Sequence, residues 1–298
     1  MFQRLTTHHS KEKEPTQHAP RLVFLPLLRY IQTFCAEAQF NSPSHLRIHR
    51  IIGPDTMKAD ILAIGAHPDD IELSCGGIVA KLAKQGKKVV IADLTQGELS
   101  TRGTKEIRAQ EAEMATKILG ASARRNLRLA DGNIQQNQEN LLKVISMIRE
   151  FQPDTMLIPH SVERHPDHVH THLLCKEAWF YSGLEKIRTE LDGAAQVPHR
   201  PNHYFEFMQW YEFVPSFIVD ISETWETKIA AIKAHTSQFH NPNSKEPETK
   251  LSTPGFLEMI EVRSRYYGER IGVRHGEPLY SWAPFGLNDL SHLILSKG

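Results

Sequence analysis

The sequence predicts an α/β fold in which a mostly parallel sheet carries helices on both faces. Three continuous apolar runs, at residues 61–64, 89–92 and 155–158, are typical of strands that are buried on both sides in a parallel sheet. Segments with helical periodicity separate these runs. Such alternation of strand and helix predicts a doubly wound sheet, whose ligands bind beyond the carboxyl ends of the strands.

Three helices are predicted between the strands. The first covers residues 73–85 and ends at Gly86, a residue type that is common just past helix ends. The second follows Thr104, whose side chain can cap a helix, and it continues to Gly120. The third spans residues 140–151 and has its apolar residues on one stripe. These segments supply the helices that cover the sheet.

Composition limits the class of partner. At 298 residues with 40% apolar content, the chain can bury the core of one large α/β domain. Basic and acidic residues both number 35, which disfavours binding to nucleic acid or to an anionic membrane and favours a small-molecule substrate. The three cysteines lack the CxxC spacing, which fits a reducing cytoplasm. Homo-oligomerisation stays open at this stage.

Residues 1–56 differ in composition from the rest of the chain. They carry scattered His, Pro and Gln without sustained periodicity, which predicts a disordered extension or a misassigned start upstream of Met57. A targeting segment is the alternative. The apolar stretch at residues 22–28 is too short to span a bilayer and is interrupted by Pro26. The predicted folded domain is therefore residues 57–298.

Two motifs of histidine and carboxylate follow predicted strands. The first, AHPDDIE at residues 66–72, comes after the first strand, and the second, RHPDH at residues 164–168, comes after the third. His67 and Asp70 are three residues apart across a turn, so their side chains can converge on one divalent cation. A distant histidine completes the three protein ligands of a catalytic zinc site, with one position left for water.

The remaining side chains of the two motifs suit hydrolysis. Asp69, beside the ligand pair, is placed to accept a proton from water. In the second motif one imidazole can bind the metal while the other faces the substrate. His165 is the candidate for stabilising the oxyanion or protonating the leaving amine. Asp167 suits a carboxylate that orients an imidazole.

Several features have simpler explanations. Each motif alone is common in turns, and only their occurrence at two strand ends strengthens the prediction. His170 and His172 are interpreted as surface or packing residues. Arg108 either forms an exposed pair with Glu111 or binds a substrate anion, and Arg200 either contacts an anion or is surface charge. No GxGxxG follows the first strand, which disfavours a dinucleotide-binding dehydrogenase.

The two motifs resemble those of the LmbE/PIG-L zinc-dependent N-deacetylases, and the resemblance runs from about residue 58 to near the C-terminus. It implies a Rossmann-like fold with a divergent C-terminal portion and one zinc ion per chain. The implied metal ligands are His67, Asp70 and His168. The implied general base is Asp69, and His165 assists the tetrahedral intermediate. Iron, cobalt or manganese also suit His and Asp ligands.

Within this family, the branch that acts in bacillithiol biosynthesis on N-acetylglucosaminyl malate is most similar. The similar segments are residues 99–104, 237–239, 243–249 and 286–290. Arg108 and Arg200 match basic positions of relatives, and guanidinium groups suit the two malate carboxylates. Residues 274–279 depart from the more aromatic and acidic pattern of the family. A deacetylase or amidase of another N-acetylglucosamine conjugate, or a non-catalytic sugar- or metal-binding module, is the alternative function.

Overall fold

The computed structural model describes residues 57–287, which form a seven-stranded sheet, a small hairpin and six α-helices. The strands are β1 (Ile61–Gly65), β2 (Val89–Thr95), β3 (Ala123–Leu129), β4 (Thr155–Pro159), β5 (Glu190–Leu191), β6 (Ala194–Ala195), β7 (His203–Phe207), β8 (Phe217–Asp220) and β9 (Gly276–Tyr280). The helices are α1 (Asp70–Lys84), α2 (Lys105–Leu119), α3 (Gln138–Phe151), α4 (Pro166–Tyr181), α5 (Trp225–Ala234) and α6 (Phe256–Glu269).

The sheet has the strand order β3-β2-β1-β4-β7-β9-β8. The first five strands in this order pair in parallel, with β1 between β2 and β4. Only β9 runs antiparallel to its neighbours, β7 and β8. The α/β fold with a mostly parallel sheet is thus confirmed. The antiparallel pairing of β9 with β7 and β8 is an addition that the sequence did not predict.

Each face of the sheet carries its own apolar core. Because successive side chains of a strand point to opposite faces, Ala63 and Leu157 pack with residues of α1, α2, α5 and α6. Leu62 and Met156 point the other way and pack with residues of α3 and α4. Full burial of each large aliphatic side chain contributes about 1.5–3 kcal/mol. The two cores hold β1 and β4 rigidly, and these strands carry both motifs.

The helix boundaries agree closely with the sequence patterns, apart from the start of α1. The hydroxyl of Thr104 accepts a hydrogen bond from the amide of Ile107 at 3.3 Å, which confirms the predicted cap of α2. Gly120 ends this helix in the left-handed conformation at φ 72°. Helix α1 begins at Asp70, earlier than predicted, because the carboxylate motif itself forms the first turn.

The buried carboxylate of Glu277 in β9 joins this strand to α1 and to α5. Helix α1 has a non-helical residue at Cys75, and the amides of Gly77 and Ile78 beyond it donate to the carboxylate of Glu277 at 3.0 and 2.7 Å. Lys228 donates to the same carboxylate at 2.5 Å. Residues 274–279, which depart from the family pattern, therefore include a structural carboxylate that caps the second half of α1.

The predictions made for residues 1–56, with the apolar stretch at 22–28, remain predictions. These residues lie outside the part of the chain that the structure describes. Among residues 57–287, no helix is long and apolar enough to cross a bilayer.

Candidate active site

Loops from four parallel strands meet at the carboxyl edge of the sheet. His67 follows β1, Leu99 follows β2, Asp131 follows β3, and His165 follows β4. All four residues line one cavity of about 440 Å³. Three of these segments follow strands that the sequence predicts, and the structure adds the segment after β3.

The turn after β1 aims two adjacent carboxylates in different directions. Asp69 adopts φ 108°, a backbone conformation that costs a non-glycine residue about 1–3 kcal/mol and occurs most often at functional sites. One carboxylate oxygen of Asp70, Oδ2, accepts hydrogen bonds from the amides of Ala66 and His67 at 2.8 and 2.9 Å. Its other oxygen, Oδ1, lies 3.2 Å from Nε2 of His168. Asp70 is therefore oriented by the backbone, with Oδ1 directed toward His168.

His67, Asp70 and His168 fit a divalent cation. Oδ2 of Asp70 is 3.6 Å from Nδ1 of His67, and its Oδ1 is 3.2 Å from the His168 ring. The ligand atoms of a tetrahedral zinc ion, each about 2.0–2.2 Å from the metal, lie roughly 3.3–3.6 Å apart. Burial opposes the charge on Asp70, but the neighbouring imidazoles outweigh it and hold the pKa of this carboxyl well below its usual range. An ionised carboxylate is the form that binds metal.

The far side of the His67 ring is held by two further carboxylates. Its Nε2 lies 3.1 Å from Asp131 and 3.3 Å from Asp167. Oδ2 of Asp167 also accepts the amide of Gly132 at 2.7 Å. Burial disfavours a charged His67 ring, yet the surrounding carboxylates outweigh burial and raise the pKa. Carboxylates in these positions fix the orientation of a metal-binding imidazole and make it a stronger ligand.

A second grouping, His67 with His165 and Asp167, also brings three ligand atoms within 4.8 Å of one another. Nδ1 of His165 is already engaged, since it accepts the amide of Asp167 at 3.2 Å. Oδ2 of Asp167 is engaged by Gly132 and by the His67 ring. The grouping of His67, Asp70 and His168 is the better cation site because its ligand atoms lie 3.6 and 3.2 Å apart, close to the spacing around a tetrahedral zinc ion.

The His165 ring is a hydrogen-bond donor toward the cavity. Its centroid lies 4.8 Å from that of His67 and 4.9 Å from that of His168. Because Nδ1 accepts the Asp167 amide, the proton of the neutral ring is on Nε2. Burial and the two neighbouring imidazoles lower the pKa of His165. The side chain is thus a neutral N–H donor at pH 7.

Asp69 is paired with a buried arginine. Nη2 of Arg108 lies 3.3 Å from the Asp69 carboxylate and donates to the carbonyl of Pro68 at 2.5 Å. Burial raises the pKa of Asp69 to about 6, although Arg108 acts in the opposite direction. The expectation of an exposed Arg108–Glu111 pair is wrong. Both side chains are buried, and Glu111 accepts three hydrogen bonds from the segment at residues 236–237.

Arg200, His170 and His172 do not line this cavity. The guanidinium of Arg200 donates to the carbonyl of Phe180 at 3.0 and 2.6 Å and lies 4.3 Å from its ring. Arg200 does not line the cavity that holds His67. His172 is buried with Nδ1 3.0 Å from the carbonyl oxygen of Pro159. His170 is half-buried in the same helix.

Three residues of the site carried no prediction from the sequence. Asp131 follows β3, a strand whose arginine-rich sequence lacks apolar alternation. Gln209, which donates to Oδ1 of Asp70 at 2.9 Å, and Trp210 follow β7. The alternating aromatic residues of HYFEF at 203–207 were the available signal for that strand.

The comparisons with known proteins agree with this geometry. The PIG-L family model, described as GlcNAc-PI de-N-acetylase, matches residues 62–179, which hold both motifs. Diacetylchitobiose deacetylase of Thermococcus kodakarensis is 30% identical over 227 residues, which are 73% of this chain and 80% of that protein. 4-Oxalmesaconate hydratase of Pseudomonas putida is 28% identical over 209 residues, which are 62% of this chain and 76% of that protein.

A solved structure extends the similarity to the whole described domain. The conserved protein TT1542 from Thermus thermophilus is 33% identical and superposes with a TM-score of 0.70, covering 78% of this chain and 99% of that one. Family model, relatives and fold therefore agree with the paired motifs at the carboxyl edge of the sheet. This chain belongs to the PIG-L/LmbE family of deacetylases.

Proposed function

We propose that the protein hydrolyses the acetamide of an N-acetylglucosaminide with one divalent cation, zinc in the first instance, bound by His67, Asp70 and His168. The observation that carries the proposal is the meeting of this ligand set with Asp69 and His165 in one cavity. The activity for which the Thermococcus relative is named, diacetylchitobiose deacetylation, supports the substrate class.

Each side chain has a defined task in the proposed reaction. A cation at the three ligands supplies Lewis acidity toward the amide carbonyl and lowers the pKa of water. Asp69 accepts the proton of the water that attacks the acetamide carbon, and a pKa near 6 suits that step at neutral pH. The Nε2–H of His165 donates to the carbonyl oxygen as its negative charge develops. Asp69 then returns its proton to the amine, so that acetate and a free glucosamine derivative leave.

N-acetylglucosaminyl malate is the specific substrate we propose, on the resemblance of residues 99–104 and 243–249 to the bacillithiol branch. The assignment of malate binding to Arg108 and Arg200 requires revision. Arg108 is bonded to Asp69, and Arg200 is bonded to Phe180 outside the cavity. Other cations on the cavity wall are therefore needed for the malate carboxylates.

Acetate release tests the proposed activity. The protein is stripped with a chelator, reloaded with zinc, and supplied with N-acetylglucosaminyl malate, diacetylchitobiose or N-acetylglucosamine. Acetate should form only with the reloaded protein, and His168→Ala should lose most of the bound metal. Zinc-loaded protein that releases no acetate from any of the three would refute the proposal. Hydration of 4-oxalmesaconate without acetate release would point instead to the activity named for the Pseudomonas relative.

A further inference from the structure

Two exposed cations flank an indole ring on the wall of the active-site cavity. The guanidinium carbon of Arg164 lies 4.4 Å from the ring centroid of Trp210, and Nζ of Lys250 lies 5.6 Å from it. All three side chains line the cavity that holds His67. We call Arg164, Trp210 and Lys250 the Trp210 cluster. The two cations come from segments far apart in the sequence, Arg164 before α4 and Lys250 before α6.

Neither cation of the Trp210 cluster takes part in an ion pair among the residues that the structure describes. Arg102, Arg108 and Arg124 each pair with a carboxylate, whereas neither Arg164 nor Lys250 has an ion pair with a carboxylate among residues 57–287. Glu163, the neighbour of Arg164 in the sequence, is buried and accepts the backbone amides of Arg164 and Trp210, both at 2.6 Å. It forms no ion pair with either side chain of the cluster.

Two members of the cluster are next in sequence to groups that hold the reacting centre. Arg164 directly precedes His165, and Trp210 directly follows Gln209, which donates to Asp70 at 2.9 Å. Adjacent Cα atoms are about 3.8 Å apart. A substrate whose acetamide lies between Asp69 and His165 therefore brings the group attached to its sugar ring close to the cluster.

The chemistry of the cluster selects the ligand. An indole face packs against a sugar ring or an aliphatic chain. Guanidinium and ammonium groups bind carboxylate or phosphate oxygens through charge-assisted hydrogen bonds. We propose that the Trp210 cluster is the subsite for the aglycone and that it favours N-acetylglucosaminides whose aglycone carries carboxylates or phosphate. This inference rests on the deacetylase function proposed above. It assigns the binding of the anionic group of the aglycone to Arg164 and Lys250.

Steady-state kinetics on three glycosides test the assignment. N-acetylglucosaminyl malate offers carboxylates, N-acetylglucosamine 1-phosphate offers phosphate, and methyl N-acetylglucosaminide offers no charge. Arg164→Gln and Lys250→Gln should each lower kcat/KM for the preferred anionic substrate about tenfold, chiefly through KM. The neutral glycoside should change little. Lys245→Gln is the matched control, because Lys245 is an exposed lysine of the same loop that does not line the cavity.

The outcomes separate this inference from the proposed function. Preference for malate over phosphate, or the reverse, identifies the anion. Equal kcat/KM for the anionic and neutral glycosides, or equal losses on all three in the variants, would overturn the subsite. If no glycoside releases acetate, the deacetylase proposal fails, and calorimetric binding of N-acetylglucosaminyl malate decides the subsite on its own. Weaker binding in Arg164→Gln than in Lys245→Gln would still support it, and equal binding would refute it.

Discussion

Arg108 is held beside Asp69 by backbone carbonyls of two loops. Its guanidinium lies 3.3 Å from the Asp69 carboxylate and donates to the carbonyls of Pro68 and Gly97 at 2.5 and 3.2 Å. Gly97 lacks a side chain where the guanidinium passes, and a Cβ there would lie 1.9 Å from Nη1. The orientation of the candidate general base thus depends on an arginine and on the absence of a side chain at one glycine.

Gly97→Ala should therefore lower activity by displacing Arg108. We expect a loss in kcat of about tenfold or more with bound metal retained, similar to that of Arg108→Gln. Gly86→Ala is the control, because Gly86 also has a positive φ but no atom lies within 4 Å of an added Cβ. Each alanine should cost about 1–2 kcal/mol of stability for its left-handed backbone, and Gly97→Ala should cost more because its Cβ meets Arg108, but only Gly97→Ala should impair acetate release. Full activity of Gly97→Ala would show that Arg108 does not position Asp69.

The adjacent carboxylates of the first motif should separate into a base and a ligand. Asp69→Asn should keep the metal and lower kcat by roughly 10²-fold or more, because an amide cannot accept the proton of water. Asp70→Asn should lose metal, because the oxygen facing His168 would no longer be ionised. Elemental analysis beside the acetate assay measures both effects. Metal loss in Asp69→Asn with metal retained in Asp70→Asn would reverse the two roles.

The sequence predicted the central part of the site because its signals are local. His67, Asp69 and Asp70 lie in a span of four residues shortly after a buried strand, and His165 and His168 follow another. Parallel strands bring their carboxyl ends to one edge, so topology alone joins the two motifs. No long-range packing had to be known for that step.

The parts that the sequence missed depend on long-range packing. Strand β3 lies at the edge of the sheet, and its Arg124 points to the buried carboxylates of Asp93 and Glu72. An arginine at such a position looks solvent-exposed in a sequence, so the strand and the Asp131 that follows it were not predicted. Arg200 was expected near the substrate, but its place depends on the packing of α4 against the loop before β7, which no local pattern encodes.

Arg102 should control the shape of the cavity wall without touching the reacting groups. It is buried and donates to the carbonyls of Ser237 and Pro247 and to the hydroxyl of Ser244 at 2.9, 3.2 and 3.0 Å. These bonds join the loop with Leu99 and Thr101 to the loop before α6. Arg102→Gln leaves carbonyls without a donor, at a cost of about 1–3 kcal/mol.

We expect Arg102→Gln to raise KM several-fold while kcat changes less, because the loops that enclose the substrate loosen and Asp69 keeps its contacts. The neighbouring carboxylate supplies the control. Glu246 is partly exposed and lies 3.9 Å from Arg102, so Glu246→Gln should change stability by less than about 1 kcal/mol. Steady-state kinetics and thermal unfolding test both variants. A fall in kcat alone in Arg102→Gln would contradict a role in shaping the cavity.

A buried acid beneath the site should make the protein less stable as pH rises. Glu206 is fully buried, with its carboxylate 3.8 Å from Nδ1 of His160 and 3.7 Å from Nδ1 of His172. Burial raises the pKa of Glu206 to about 7 and lowers the pKa of His172 to about 4. A protonated acid beside a neutral imidazole is thus the stable arrangement, and no ion pair forms between them.

The sign of the effect follows from proton linkage. Between the pKa of the unfolded chain, about 4.5, and the folded value of about 7, the folded protein binds more protons at Glu206 than the unfolded chain. This contribution is complete below pH 4.5 and is lost as pH rises through 7, by up to about 3 kcal/mol. Glu206→Gln keeps an acceptor for the Ser161 amide and removes the titration. Its free energy of unfolding should exceed that of the parent at pH 8, with a smaller difference at pH 5. Glu223→Gln, on the exposed surface, should leave the pH profile unchanged, and a profile of Glu206→Gln parallel to the parent would reject the raised pKa.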